Sequence, residues 1–168
     1  MNLHAVLQSQ YLAALAMLEK AIIVCPDELW DAPTDTNKFW HIAYHAIFYT
    51  HLYLQPREDD FAAWDKARAN YNFMGTLPAP PHEKVKVEAA YTKAEILEYL
   101  ALFRQEIPET VAMLDLASEE SGFSWISLNK LELQFYNIRH LQQHTGELCE
   151  RLGTRAQIDV DWVGKVHD

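Results

Sequence analysis

The sequence predicts an all-α fold: a four-helix bundle with a long crossover connection between its second and third helices. Three observations point there. Four long segments repeat apolar residues at three- and four-residue steps, the period of a helix with one buried face. No segment carries a convincing strand alternation of apolar and polar residues. The 168 residues hold only five glycines, too few for a turn-dense β architecture.

The first segment runs from Leu3 to Val24, with Leu7, Tyr11, Ala14, Leu15, Leu18 and Ile22 recurring at helical steps, and Pro26 ends it. Cys25–Thr36 is a connection. Asp35 or Thr36 is placed to cap a second helix, Lys38 to Gln55, which Pro56 stops. Residues 56–91 form a Pro-rich, aromatic insertion with Phe61, Trp64, Tyr71 and Phe73. A structureless connection of that length is unusual in a compact domain, so one short helix around Asp60–Asn70 is expected, with the aromatics packed on the bundle. Thr92 and Glu95 form a capping box that opens a third helix towards Ala117, and Pro108 should kink or split it. Ser121–Gly122 is a turn. Ser127 is placed to cap a fourth helix from about Asn129 to Leu152, ended by Gly153. In the tail, Ile158–Val163, Trp162 is expected to anchor on the bundle surface. No boundary interrupts the chain, so residues 1–168 read as one domain, long enough to fold on a hydrophobic core without a structural metal.

Charge narrows the function. The net charge is −10, from 24 acidic against 14 basic residues. Such a chain repels phosphate backbones and anionic membranes, and Lys84/Lys86 and Arg151/Arg155 are isolated pairs rather than a basic patch. Neither nucleic acid nor membrane is an expected partner. No apolar run approaches the ~18 residues of a membrane span, and Cys25 and Cys149 form no CxxC motif. Two reduced, partly buried thiols in a cytoplasmic protein is the reading these features favour.

The histidines carry the strongest chemical signal. His41/His45 and His140/His144 are both i, i+4 pairs on expected helices. At ~100° per residue, His140 and His144 lie about 40° apart, beside Leu133, Asn137, Leu141 and Leu148. His45 shares its face with Ile42, Phe48, Tyr49 and Leu52, while His51, roughly 120° away, should face solvent. His41 is only about 40° from His45 and could take its place. Three neutral imidazoles from two helices can therefore meet inside a bundle, where they suit Zn²⁺, Ni²⁺ or Fe²⁺. His4, His51 and His167 are not expected to bind.

Absent motifs prune the chemistry. In His140-Leu-Gln-Gln-His144, Leu141 stands where an HExxH metalloprotease carries its glutamate base. No Glu-x-x-His occurs, as a di-iron bundle would require, and there is no G-x-S-x-G, P-loop or G-x-G-x-x-G. Tyr136, Asn137 and Glu147 lie near the pair as groups that could support its ligands from behind.

The stretches FWHIAYHAIFYTHLYL and NIRHLQQHTGEL together resemble the DinB-like superfamily (DinB and YfiT-like metalloproteins), with one His on helix two and His-x-x-x-His late on helix four. The short polar Thr145-Gly146-Glu147 after His144 also fits the resemblance, which covers the chain from the first helix to about Leu152. It implies a metal triad of His45, His140 and His144. His45 is chosen over His41 because the family's helix-two His precedes a large apolar and aromatic run, as in His45-Ala-Ile-Phe-Tyr. His41, Tyr49, Asn137 and Glu147 then form the supporting set. The insertion at 56–91 departs from the simplest members.

The resemblance further implies a homodimer, a small-molecule substrate, and one divalent ion (Zn, Ni, Fe or Mn). In some members the activity is an S-transferase or isomerase that uses a low-molecular-weight thiol. A thiol suits three neutral ligands, since binding to the ion removes its proton. The alternatives are a metal-binding or stress-related protein without turnover, and a metal-dependent hydrolase. With only His41 and Glu147 near as general bases, thiol chemistry is the better fit.

Overall fold

A computed structural model describes residues 1–166. Among them the fold is all-α. Its helices are α1 (Leu3–Val24), α2 (Asp27–Trp30), α3 (Phe39–Leu54), α4 (Lys93–Met113) and α5 (Lys130–Ala156), and a single antiparallel bridge pairs Thr76 with Lys84. No helix among the described residues is long and apolar enough to cross a membrane. Cys25 and Cys149 are free thiols.

Local chemistry sets most helix ends. The Asn2 side chain accepts from the Ala5 amide to start α1. In α4, the Glu95 amide donates to Thr92 Oγ1 while the Thr92 amide donates to the Glu95 carboxylate, the reciprocal capping box expected from sequence. Three ends depart from expectation. Lys38 precedes α3 with no side-chain cap, because the Asp35 carboxylate is taken up by Arg151 and Arg155 reaching across from α5. Asn129, not Ser127, caps α5 by accepting from the Glu132 amide at 2.8 Å. That helix also runs through Gly153 to Ala156 and closes at Gln157, whose φ is +59°.

Pro108 does not split α4, which is continuous from Lys93 to Met113, four residues short of Ala117. The proline is exposed, so the Arg104 carbonyl that loses its partner can turn to water.

The long helices pack with α3 against α4 and α5, and α1 against α4 and α5. Their shared core includes Tyr11, Leu15, Ile22, Trp40, Tyr44, Ile47, Leu100, Phe103, Leu141 and Leu148. Of the 16 residues of α3, 13 are buried, and the other three, His45, Phe48 and Tyr49, are half-buried along one face.

Part of that cover comes from residues 55–92, which contain one 3₁₀ turn, Glu58–Asp60, instead of the expected helix at Asp60–Asn70. Extended and turn backbone lets successive aromatics reach different partners. Phe61 packs edge-on against Phe48 and His51, Trp64 stacks on Tyr99 at 5.0 Å, and Tyr71 meets Trp40 and Tyr91. One helical face would have presented all three in the same direction. Trp30 and Tyr91 add anchors, the indole N–H donating to the Tyr91 carbonyl at 2.7 Å. In the tail the expectation for Trp162 fails: its side chain is 73% exposed, and Ile158 and Val160 pack on the core instead.

Candidate metal centre

The pairing of α3 with α5 brings three imidazoles to one point. His140 Nε2 lies 3.1 Å from His45 Nε2 and 3.2 Å from His144 Nε2. The three rings offer ligand atoms that all fall within 4.8 Å of one another. One helical turn separates His140 from His144, so both side chains leave α5 on the same side and meet His45 across the helix interface.

The outer ring nitrogens fix where the protons are. A carbonyl only accepts, so the 2.7 Å contact from His45 Nδ1 to the Asn72 carbonyl requires Nδ1–H. His144 Nδ1 likewise donates to the Glu147 carboxylate at 3.4 Å, and Arg151 holds the other oxygen of that carboxylate at 2.8 Å. In the neutral rings both Nε2 atoms then carry lone pairs, aimed at His140. Burial pushes His45 down to about 3, opposed by the Asn72 carbonyl and reinforced by the facing His144 and His140. Burial and His144 push His140 down to about 4. Both rings are therefore neutral at pH 7.

His140 cannot resolve the arrangement by itself. If Nε2 carries its proton, it can answer only one of the two facing lone pairs. If Nδ1 carries it, that N–H is buried without an acceptor, and three lone pairs meet. A cation at the meeting point would accept all three at once. The donor set thus fits a divalent metal, with the other ring nitrogens of His45 and His144 bonded to a carbonyl and a carboxylate, as is usual behind metal-bound histidines.

The structure sorts the remaining expected residues. Tyr49 lies against the site, its ring 4.7 Å from that of His45 and edge-on to His140 at 5.8 Å, with its hydroxyl accepting from the Asn72 amide. Tyr136 runs parallel to the His140 ring at 6.5 Å. His41 does not join the cluster: its Nε2 bonds the Tyr71 carbonyl at 2.8 Å and its ring stacks on Trp40. Asn137 is buried, but its amide donates to the Thr50 carbonyl and ties α5 to α3 instead of touching an imidazole. His4 is bonded to the Leu114 carbonyl, and His167 lies outside the described residues.

His51 is the clear correction. It is buried, not solvent-facing, with Tyr99 O–H donating to Nδ1 at 3.0 Å and Nε2–H donating to Glu106 at 3.3 Å. The Asn72 carbonyl is the group that sequence reasoning missed, because a backbone oxygen in an aperiodic connection leaves no residue-type signal. Arg151 behind Glu147 is an i, i+4 pair that spacing could have suggested.

No protein-family model, curated protein or solved structure matches this chain.

Proposed function

We propose that the chain is a metal-dependent enzyme that holds one divalent ion on His45, His140 and His144 and acts on a small thiol, as an S-transferase or isomerase. Its four long helices would form the bundle for that site, with residues 55–92 crossing between α3 and α4. One observation carries the reading: three Nε2 atoms converge with too few protons to satisfy one another.

A divalent ion on three uncharged ligands would lower the pKa of a bound thiol, with no protein carboxylate to offset its charge. The chain's own groups do the rest. The Asn72 carbonyl and Glu147 fix the orientation of His45 and His144, and Arg151 steadies Glu147. Tyr49 and Tyr136 flank the rings and displace water from their sides. A cleft of about 290 Å³, lined by Tyr136, Arg139, His140 and Gln143, borders the cluster and offers room for a small substrate. The two unbridged cysteines favour a cytoplasmic setting.

The test is a thiol-transfer assay. Protein loaded with Zn²⁺ or Mn²⁺ is offered a panel of cellular thiols with a chromogenic electrophile, and compared with His140→Ala. The reading expects at least one thiol to be consumed faster by the wild type. Equal rates for every thiol would leave a metal-binding protein without turnover.

A further inference from the structure

We infer that Arg139 is a specificity residue, and that the small molecule reaching the histidine cluster carries a carboxylate which this guanidinium receives. The inference rests on the metal reading above and adds the charge of the ligand to it.

Arginine pairing is the starting observation. The chain has six arginines. Five are matched with carboxylates: Arg57 with Asp60, Arg68 with Glu95, Arg104 with Glu19, and Arg151 and Arg155 with Asp35. Among the described residues Arg139 alone has no such partner. In a chain of net charge −10, acidic groups are plentiful, and every other guanidinium has found one.

Its position is the second observation. Arg139 precedes His140 and lines the same cleft, with Tyr136 and Gln143 as the other walls. No acidic side chain lines that cleft, and Glu147, one turn beyond Gln143 on α5, is occupied by Arg151 and His144. Arg139 and Gln143 stand one helical turn apart, in a row beside that of His140 and His144. Together they offer a charged fork and a neutral amide, a donor set for a monoanion. A guanidinium matches the two oxygens of a carboxylate in geometry as well as charge. A phosphate dianion would call for more positive charge than one arginine supplies.

The test uses Zn²⁺-loaded protein with its zinc content measured in every sample. Dissociation constants are determined calorimetrically for 3-mercaptopropionate and for 3-mercaptopropanamide, its uncharged counterpart. The wild type should prefer the carboxylate by about fivefold, the upper range for an exposed ion pair. Arg139→Gln should lose that preference while keeping its zinc and its affinity for the amide, and Arg139→Lys should recover part of it. Lys20→Gln, which removes an exposed charge elsewhere, should behave as wild type. A preference that survives in Arg139→Gln, or none in the wild type, overturns the assignment with the metal site intact. A wild type that holds no zinc overturns the metal reading itself, and the role of Arg139 with it.

Discussion

Helix α3 carries His45, half-buried, and His51, buried, on different sides, and the same helices enclose the two to opposite effect. His51 has a protein partner for each ring nitrogen, a tyrosine hydroxyl on one side and a carboxylate on the other. His45 has one partner, the Asn72 carbonyl, while its second nitrogen faces two more imidazoles. Burial alone therefore does not mark a functional histidine. The useful distinction is whether the surrounding donors and acceptors balance: around His51 they do, and around His45, His140 and His144 they do not without a cation.

The comparison is broken most sharply by removing one member of each set. His140→Ala should reduce metal affinity more than about 100-fold, beyond the usual cost of losing a supporting group. Its metal-free stability should change little, as read by thermal melting in the presence of a chelator. His51→Ala should do the reverse. It should bind metal normally and lose about 2 kcal/mol in denaturant titration, because Tyr99 is left with a buried hydroxyl that has no acceptor.

Acid offers the next contrast. Burial pushes the His51 imidazole down to about 4, whereas an unfolded histidine titrates near 6.5. Between those values the unfolded chain binds the extra proton, so the stability of the metal-free protein falls as pH falls from about 6.5 to 4. His51 contributes on the order of 2 kcal/mol to that slope. Melting temperatures measured across the window should decline less steeply in His51→Ala than in the wild type; identical slopes would show that His51 takes no part.

Smaller changes sharpen the account further. Glu147→Ala should weaken metal binding about tenfold through His144, leaving the fold in place because Arg151 keeps Asp35 and the Asn37 carbonyl. Trp162→Ala should shift stability by less than about 0.5 kcal/mol, since the indole is exposed.

The contrast also explains what could be read in the sequence. His140 and His144 were legible because α5 has one apolar face, and helical spacing put both on it. His45 was separable from His41 only through the family resemblance, because one helical turn leaves the two only about 40° apart on α3. His51 was misplaced for a related reason: a helical wheel takes the side away from the apolar face as solvent, and on α3 that side is covered by Phe61 of the 55–92 connection and by Phe103 and Glu106 of α4. The connection itself resisted reading. Its conformation follows where Phe61, Trp64 and Tyr71 find partners, and those partners are distant in sequence. Capping followed suit, legible at Thr92–Glu95, where both groups are local, and misread at Asp35, which is engaged by arginines more than 110 residues away.

Metal content tests the central claim most directly. Protein purified without a nickel column, loaded with Zn²⁺ and passed through a desalting step, should retain one equivalent by elemental analysis. His41→Ala and His51→Ala should retain the same, while His45→Ala, His140→Ala and His144→Ala should each retain almost none. Zinc that is absent from the wild type, or that survives loss of any of the three histidines, would contradict the account.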